Sequence, residues 1–566
     1  MSLRFTTFDT VLKIALSLMF AGLPVGVVAQ SVTGHIVDAS NQAPIAGAVV
    51  RVQARPDLPT ATSGVDGAFT LDVSGYGANQ NIPVAAALAY DASAVLNYET
   101  TAVLANAGNT VEISLTRIPT ADNSAYQPVS AGSCSGCHTE QYIQWRSSNH
   151  SRAAINPRLL DLYSGDGFDT ATAADGYVFT TLHDSGDTGL CAVCHAPNEN
   201  ASDPAGVKLN EVSSNAGLDG VTCTSCHQLH TVDGDIQAIH LLGNSEFRFP
   251  QANRGGADAT HEHVWGPLGD VSFNRMRAAW YPKFSSSELC ASCHEYVNPD
   301  TGAPGQTTYT EWQTSPAAAN GQQCQDCHMP VAQSPGPIAV GVGQAPTRPA
   351  DQRHDHSFPG VYSGSFGQPV EVRLSFEAAS PFVIVTSEVE NLVTGHAWPT
   401  GVDERNALVW VEAYLNGNPL AFESGDTLPA WTSDDVPGRD PGDYDGLPGR
   451  GFVKLLSGRI NGEGPPLAPV PFIDAEEELA FTTIQAGATD IGQYTFRLPD
   501  TVRRGDELTF RATVIYRRTF RAIAVTKGWT ELAMDEPWER QVAGRTVTYT
   551  LDADDLGQIF LDDFEP

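Results

Sequence analysis

The ten cysteines of this 566-residue chain fall into five pairs of one spacing, C-x-x-C, and a histidine follows each pair directly. The triplets are Cys134/Cys137/His138, Cys191/Cys194/His195, Cys223/Cys226/His227, Cys290/Cys293/His294 and Cys324/Cys327/His328. With 15 histidines in the whole chain, five such coincidences have a chance probability of about one in eighty million, and no cysteine is left over. Two thiols one helical turn apart can both add across the vinyl groups of one porphyrin, and the adjacent imidazole then takes the proximal position on iron. C-x-x-C-H is the attachment pattern of c-type haem. Zinc gives no reason for a histidine after every pair. Disulfides give none either, and five thioredoxin-like sites without a βαβ pattern would be odd. The sequence therefore predicts five covalently attached haem c groups.

The sixth position on each iron separates electron transfer from catalysis. Ten histidines remain: His35, His150, His183, His230, His240, His261, His263, His354, His356 and His396. His35 falls on a strand of a separate N-terminal module, which leaves nine for five irons. The count permits five bis-histidine haems. Trp145, Ser148 and His150 form W-x-x-S-x-H after the first haem site, and Trp312, Ser315 and Ala317 repeat it before the fifth. The second copy has alanine where the first has histidine, so its module takes a sixth ligand from elsewhere or lacks one.

The phrases CSGCHTEQYIQWRSSNH, GVTCTSCH, LCASCHE, TYTEWQTSPAAANGQQCQDCHMP, HDHSFPG and GHAWPTG occur in that order. Here the chain resembles the multihaem c-type cytochromes related to the tetrahaem electron-transfer cytochromes of ammonia-oxidising bacteria, over about residues 130–410. That resemblance implies distal ligands at His150, at one of His354 and His356, and at His396. His263 or His261, in THEHVWGPL, and His230 are further candidates. His183 and His240 read as surface or packing residues. Related sequences carry a histidine shortly before the fourth motif; this chain has NRMRAAWYPKFSSSELC, where Met276 is the nearby soft ligand.

These residues need elements to hold them. Residues 31–118 alternate polar and apolar in short runs such as GHIVD, AGAVVRVQA, DGAFTLDV and TVEISLT, broken by Gly, Pro and Asn. That pattern predicts a β-sandwich, and it resembles the carboxypeptidase-regulatory-like module of exported proteins, a spacer or docking unit. Residues 130–360 form the pentahaem core. First cysteines there are 57, 32, 67 and 34 residues apart, too close to give each porphyrin its own domain. The haems must share one core of short helices and loops with little sheet. Residues 362–552, with segments such as VEVRLSFEA, FVIVTSEVEN and ALVWVEAYLNGNPL, predict a second β-sandwich packed on the haems and supplying ligands. In its early loop Arg405 reads as an exposed arginine or as one that meets a haem propionate. The fold class is thus multidomain α+β. An acidic loop with Asp434, Asp435, Asp440, Asp443 and Asp445 lacks EF-hand spacing and reads as solvated, and residues 553–566 form an acidic tail.

Residues 1–30 read as a secretory signal. Arg4 and Lys13 precede an apolar run, and Val27 and Ala29 suit a cleavage site. Export fits haem c, which is attached outside the cytoplasm, and points to a periplasmic or cell-surface location. No later run is long enough to span a membrane. With 66 acidic and 32 basic residues the net charge is −34, which argues against nucleic acid and favours a redox partner with a basic face.

The leading expectation is an exported pentahaem cytochrome carrying electrons to or from such a partner, and not itself an enzyme. The first alternative is a haem-dependent reductase or oxidoreductase of nitrogen or sulfur oxyanions with one open iron. Pentahaem nitrite reductases resemble the chain in haem number, but their catalytic motif carries lysine, whereas all five motifs here end in histidine. The second alternative is a subunit of an extracellular haem filament or other oligomer.

Overall fold

The computed structural model describes residues 30–77, 79–124, 126–169, 172, 174–201, 203, 206–232, 245–248, 250, 262–273, 276–341, 345–363, 367–379, 381–433, 443–532 and 536–552. The expected signal up to residue 29, the acidic tail, His240, His261, and Asp434, Asp435 and Asp440 of the acidic loop lie outside the described residues.

The first body is two facing sheets. Strand Ser31–Asp38 runs between Ala68–Asp72, antiparallel to it, and Thr110–Leu115, parallel to it. The opposite sheet orders Ala61–Thr62, Val49–Val52, Ile82–Ala87 and Thr101–Ala105. Alternation sends Val32, Ile36, Val50, Leu71, Val84 and Ile113 into the core and leaves His35 exposed. The parallel pair is close at Gly34, where a Cβ would stand 2.0 Å from the carbonyl oxygen of Val111.

Residues 370–550 make the second sandwich. Its smaller sheet orders Val370–Ala379, Phe382–Asn391, Thr489–Arg497 and Ala421–Gly425. The larger is built on Asn406–Leu415, flanked by Gly449–Ser457 and Glu507–Arg517, with Glu539–Thr550 outside the latter. Every second residue of Phe382–Asn391 is buried, and Val383, Val385, Val409, Val411, Phe452, Phe510 and Val514 fill the space between sheets.

Between the sandwiches the chain makes helices of at most eight residues among the described ones, such as Thr139–Arg146. Proline opens several, as at Pro157, Pro197 and Pro316. Helices this short do not form on their own propensity, so they depend on what fills the space between them. Four C-x-x-C-H motifs lie on such pieces: Cys191–His195, Cys223–His227, Glu288–His294 and Cys324–His328. The first motif is a run of turns leading into Thr139–Arg146, with His138 at its N-cap. Sheet is confined to short pairs such as Glu262–Gly266 with Met276–Trp280. The α+β class expected from the sequence is the architecture observed.

Both sandwiches are bonded to this middle region. On the N-terminal side the amides of Tyr90 and Thr100 donate to the carbonyls of Trp280 and Ala278, at 2.7 and 2.8 Å. Asp270 accepts from the Ala54 amide at 2.7 Å and pairs with the buried Arg348 at 3.0 Å. On the C-terminal side the Trp529 indole donates to the buried Asp161 carboxylate at 2.6 Å. Lys454 Nζ lies 2.7 Å from Thr307 Oγ1, and the Ala317 amide donates to the Thr394 carbonyl at 3.1 Å.

Candidate haem centre

One cavity of about 2720 Å³ runs through the middle region, several times an ordinary small-molecule pocket. All ten motif cysteines and all five motif histidines line it. No two cysteines are joined as a disulfide. Burial pushes the Cys191 and Cys226 thiols up to about 12, while hydrogen bonding lowers those of Cys223 and Cys324. Five thiol pairs, each beside an imidazole on one cavity wall, fit haem c; among the described residues no group of His, Cys, Asp and Glu is arranged to hold a bare ion.

The five imidazoles are oriented by their second nitrogens. Nδ1 of His138, His195, His227 and His328 donates to the backbone carbonyls of Ile338, Ala153, Trp265 and Pro359, at 2.9, 3.2, 2.9 and 2.9 Å. Fixing the proton on Nδ1 leaves the Nε2 lone pair for a metal. His294 differs: its Nδ1 faces the side-chain amide of Gln306 at 3.0 Å, which supports the same tautomer when the amide presents its oxygen. Burial pushes His227 and His294 down to about 4 and lowers His195 and His328. Neutral imidazole is the form that ligates iron.

Among the described residues four further histidines line the cavity: His150, His354, His356 and His396. The ring of His150 is centred 6.2 Å from that of His294, and His396 stands 6.4 Å from His328 with planes 23° apart. Two imidazoles on opposite sides of one metal, each about 2 Å from it with about 1.1 Å from nitrogen to ring centre, place their centres about 6.2 Å apart. Burial, reinforced by His294, pushes His150 down to about 3. Nδ1 of His396 is 2.8 Å from the Ala397 carbonyl. His354 and His356 also direct Nδ1 at backbone oxygens, of Met329 at 2.7 Å and of His354 at 2.9 Å, and His356 is in electrostatic reach of His138 and His227. Met276 lies on the cavity wall too.

Other candidates sit elsewhere. His263 Nε2 is 2.9 Å from the Glu99 carboxylate, which also meets Arg277 at 3.4 Å, in a buried triad under the N-terminal sandwich. His230 Nδ1 is 2.8 Å from the Tyr90 hydroxyl. His183 stacks on Phe179 and faces Asp474 at 3.2 Å. None of these three lines the cavity; each is taken by a partner from the docked sandwiches, a contact that no local pattern encodes. Asp443 is buried and Asp445 is exposed in the acidic loop.

The motifs also have an order in space. The thiols of Cys134 and Cys223 are in electrostatic reach of each other, as are those of Cys194 and Cys293 and of Cys290 and Cys324. Cys226 is in electrostatic reach of Cys293. The first motif thus adjoins the third, the third adjoins the fourth, and the second and fifth both adjoin the fourth.

Residues 133–228 match the family model described as cytochrome c554 and c-prime. No curated protein matches the chain. A solved structure, titled as a penta-heme cytochrome c552 from Thermochromatium tepidum, is similar over 74% of this chain and 99% of that one, with 23% identity and a TM-score of 0.49. The family match covers the first three of the five C-x-x-C-H motifs, the pattern that attaches haem c. Among the described residues no helix is long and apolar enough to cross a membrane.

Proposed function

We propose that the chain is an exported pentahaem cytochrome that passes electrons along its haems to or from a redox partner protein with a basic face. The observation that carries this reading is the single cavity lined by all five C-x-x-C-H motifs. Each pair of cysteines holds one porphyrin, and His138, His195, His227, His294 and His328 hold the irons from one side. Bound haem supplies one-electron chemistry; the protein supplies ligands, spacing and exclusion of water. His150 serves the iron of His294 and His396 that of His328, supported by the ring separations. His354 and His356 remain for the sites of His138 and His227. The adjacency of the motifs makes the haem of His294 a branch point. Export agrees with the sequence of residues 1–30, and the net charge of −34 draws a basic partner at low salt.

A second reading rests on a count. Among the described residues four distal histidines line a cavity with five proximal ones, while His240 and His261 lie outside them; where neither serves, one iron takes Met276 or stays open, and an open iron is the requirement for reducing a nitrogen or sulfur oxyanion. Reduced holoprotein mixed with a basic c-type cytochrome, and separately with nitrite and hydroxylamine, distinguishes the two. The carrier predicts fast transfer to the protein acceptor and no sustained turnover of either small molecule. Sustained turnover overturns it in favour of the enzyme.

A further inference from the structure

Among the described residues the cavity wall carries six arginines and no lysine, and three of the arginines meet in one lobe where the C-terminal sandwich covers the second haem motif. Arg405 begins the strand Asn406–Leu415 from the preceding turn and reaches the Tyr516 hydroxyl with Nη1 at 3.4 Å. Arg518 lies with its guanidinium carbon 3.9 Å from the ring centre of Tyr362 and pairs with Glu536. Its Nε is buried and has no hydrogen-bond partner. Arg158 donates to the Glu536 carbonyl at 2.5 Å. Burial first, and then the neighbouring Arg518, pushes its guanidinium down to about 10. Glu404, beside Arg405, is in electrostatic reach of Cys191, which fixes the lobe against the second motif.

Three guanidinium groups crowded against the haem cavity of a chain with net charge −34 are costly unless an anion joins them. Glu536 and Glu404 answer part of that charge, yet an Arg518 donor remains unsatisfied. The planar fork of arginine is matched to a carboxylate-type oxyanion. We propose that Arg158, Arg405 and Arg518, with Tyr516, form a binding pocket for a carboxylate-type oxyanion. Its source is either the propionates of the haem attached at Cys191 and Cys194 or a small free oxyanion that enters the lobe. The inference rests on the haem reading above.

The pocket also sets the potential of that haem. Reduction adds one electron to the iron and no other bond changes; nearby cations favour the reduced form. Removing one of them lowers the reduction equilibrium constant by about tenfold, which is about 59 mV for a one-electron couple.

The test is a potentiometric titration of wild-type, R518Q, R405Q and R518K holoproteins, with and without formate, after a haem count on each. If propionates are the occupant, one midpoint in R518Q and R405Q falls by about that amount, formate changes nothing, and R518K falls less because its charge is kept. If a free oxyanion is the occupant, formate lowers one midpoint of the wild type saturably, and R518Q abolishes that response. Five haems with no midpoint moved by substitution or by formate overturns the inference alone. A wild-type count below five overturns the haem reading and this inference with it.

Discussion

Replacing His396 with glycine tests the ligand geometry most sharply. The ring of His396 stands 6.4 Å from that of His328 with planes 23° apart, against about 6.2 Å for two imidazoles sharing one metal. If they share an iron, His396→Gly leaves that iron five-coordinate and disturbs no other haem. The lost bond from Nδ1 to the Ala397 carbonyl costs about 1 kcal/mol, too little to unfold a protein of this size. The oxidised variant should therefore convert one of its five haems from low to high spin by electron paramagnetic resonance. The reduced variant should bind one more carbon monoxide per chain than the wild type, and added imidazole should reverse both changes. Uptake equal to that of the wild type, or conversion of a haem other than that of His328, refutes the assignment.

Other outcomes follow from the same contacts. His263→Ala leaves Glu99 and Arg277 buried without their third member and should cost about 1–3 kcal/mol in chemical denaturation while changing neither spin state nor carbon monoxide uptake. Burial raises the Asp38 carboxyl, but hydrogen bonds from Ser40, Arg117 and Tyr98 outweigh it and hold it below the ordinary range. Its stabilisation is full above the unfolded value of about 3.9 and is lost as pH falls below that, so Asp38→Asn should destabilise the protein by about 1.5–3 kcal/mol at pH 7 and flatten the acid limb of its stability curve. Gln306→Leu removes the only side-chain partner among the five proximal Nδ1 contacts, weakens the ligand's basicity, and should raise the midpoint of the haem of His294 alone in a potentiometric titration. Electron transfer to a basic partner should slow as salt rises from 0.01 to about 0.15 M, where screening shortens to about 8 Å; a rate independent of salt contradicts the acidic docking face.

Much of this was legible in the sequence for identifiable reasons. Covalent haem attachment needs two thiols and a histidine at fixed local spacing, so all five candidate motifs stand in the primary structure. The sandwiches were legible because alternation such as FVIVTSEVEN follows directly from a pleat with one buried face. Distal ligands were harder, because they are set by tertiary closure. His150 follows the first motif in sequence, yet its ring faces His294, 144 residues on. His396 comes from the C-terminal sandwich, where the Ala317 amide bonds to Thr394 and holds the loop over the fifth module. That module, whose second motif copy lacks histidine, thus takes its candidate ligand from another body. His263 and His230 carried the right side chain in the right region, but Glu99 and Tyr90 on the N-terminal sandwich hold them, and no local pattern encodes that docking. Nor does composition disclose three arginines from separate segments meeting at one lobe.

The central claim is five covalent haems on one chain, and the most direct measurement is the mass of the purified holoprotein after denaturation, read beside its haem-to-protein ratio. The account predicts a chain heavier by five haem masses that survive denaturation, with mass lost one haem at a time when each cysteine pair is replaced by alanine. A mass that lacks one or more haems, or haem that separates from the chain on denaturation, would contradict it.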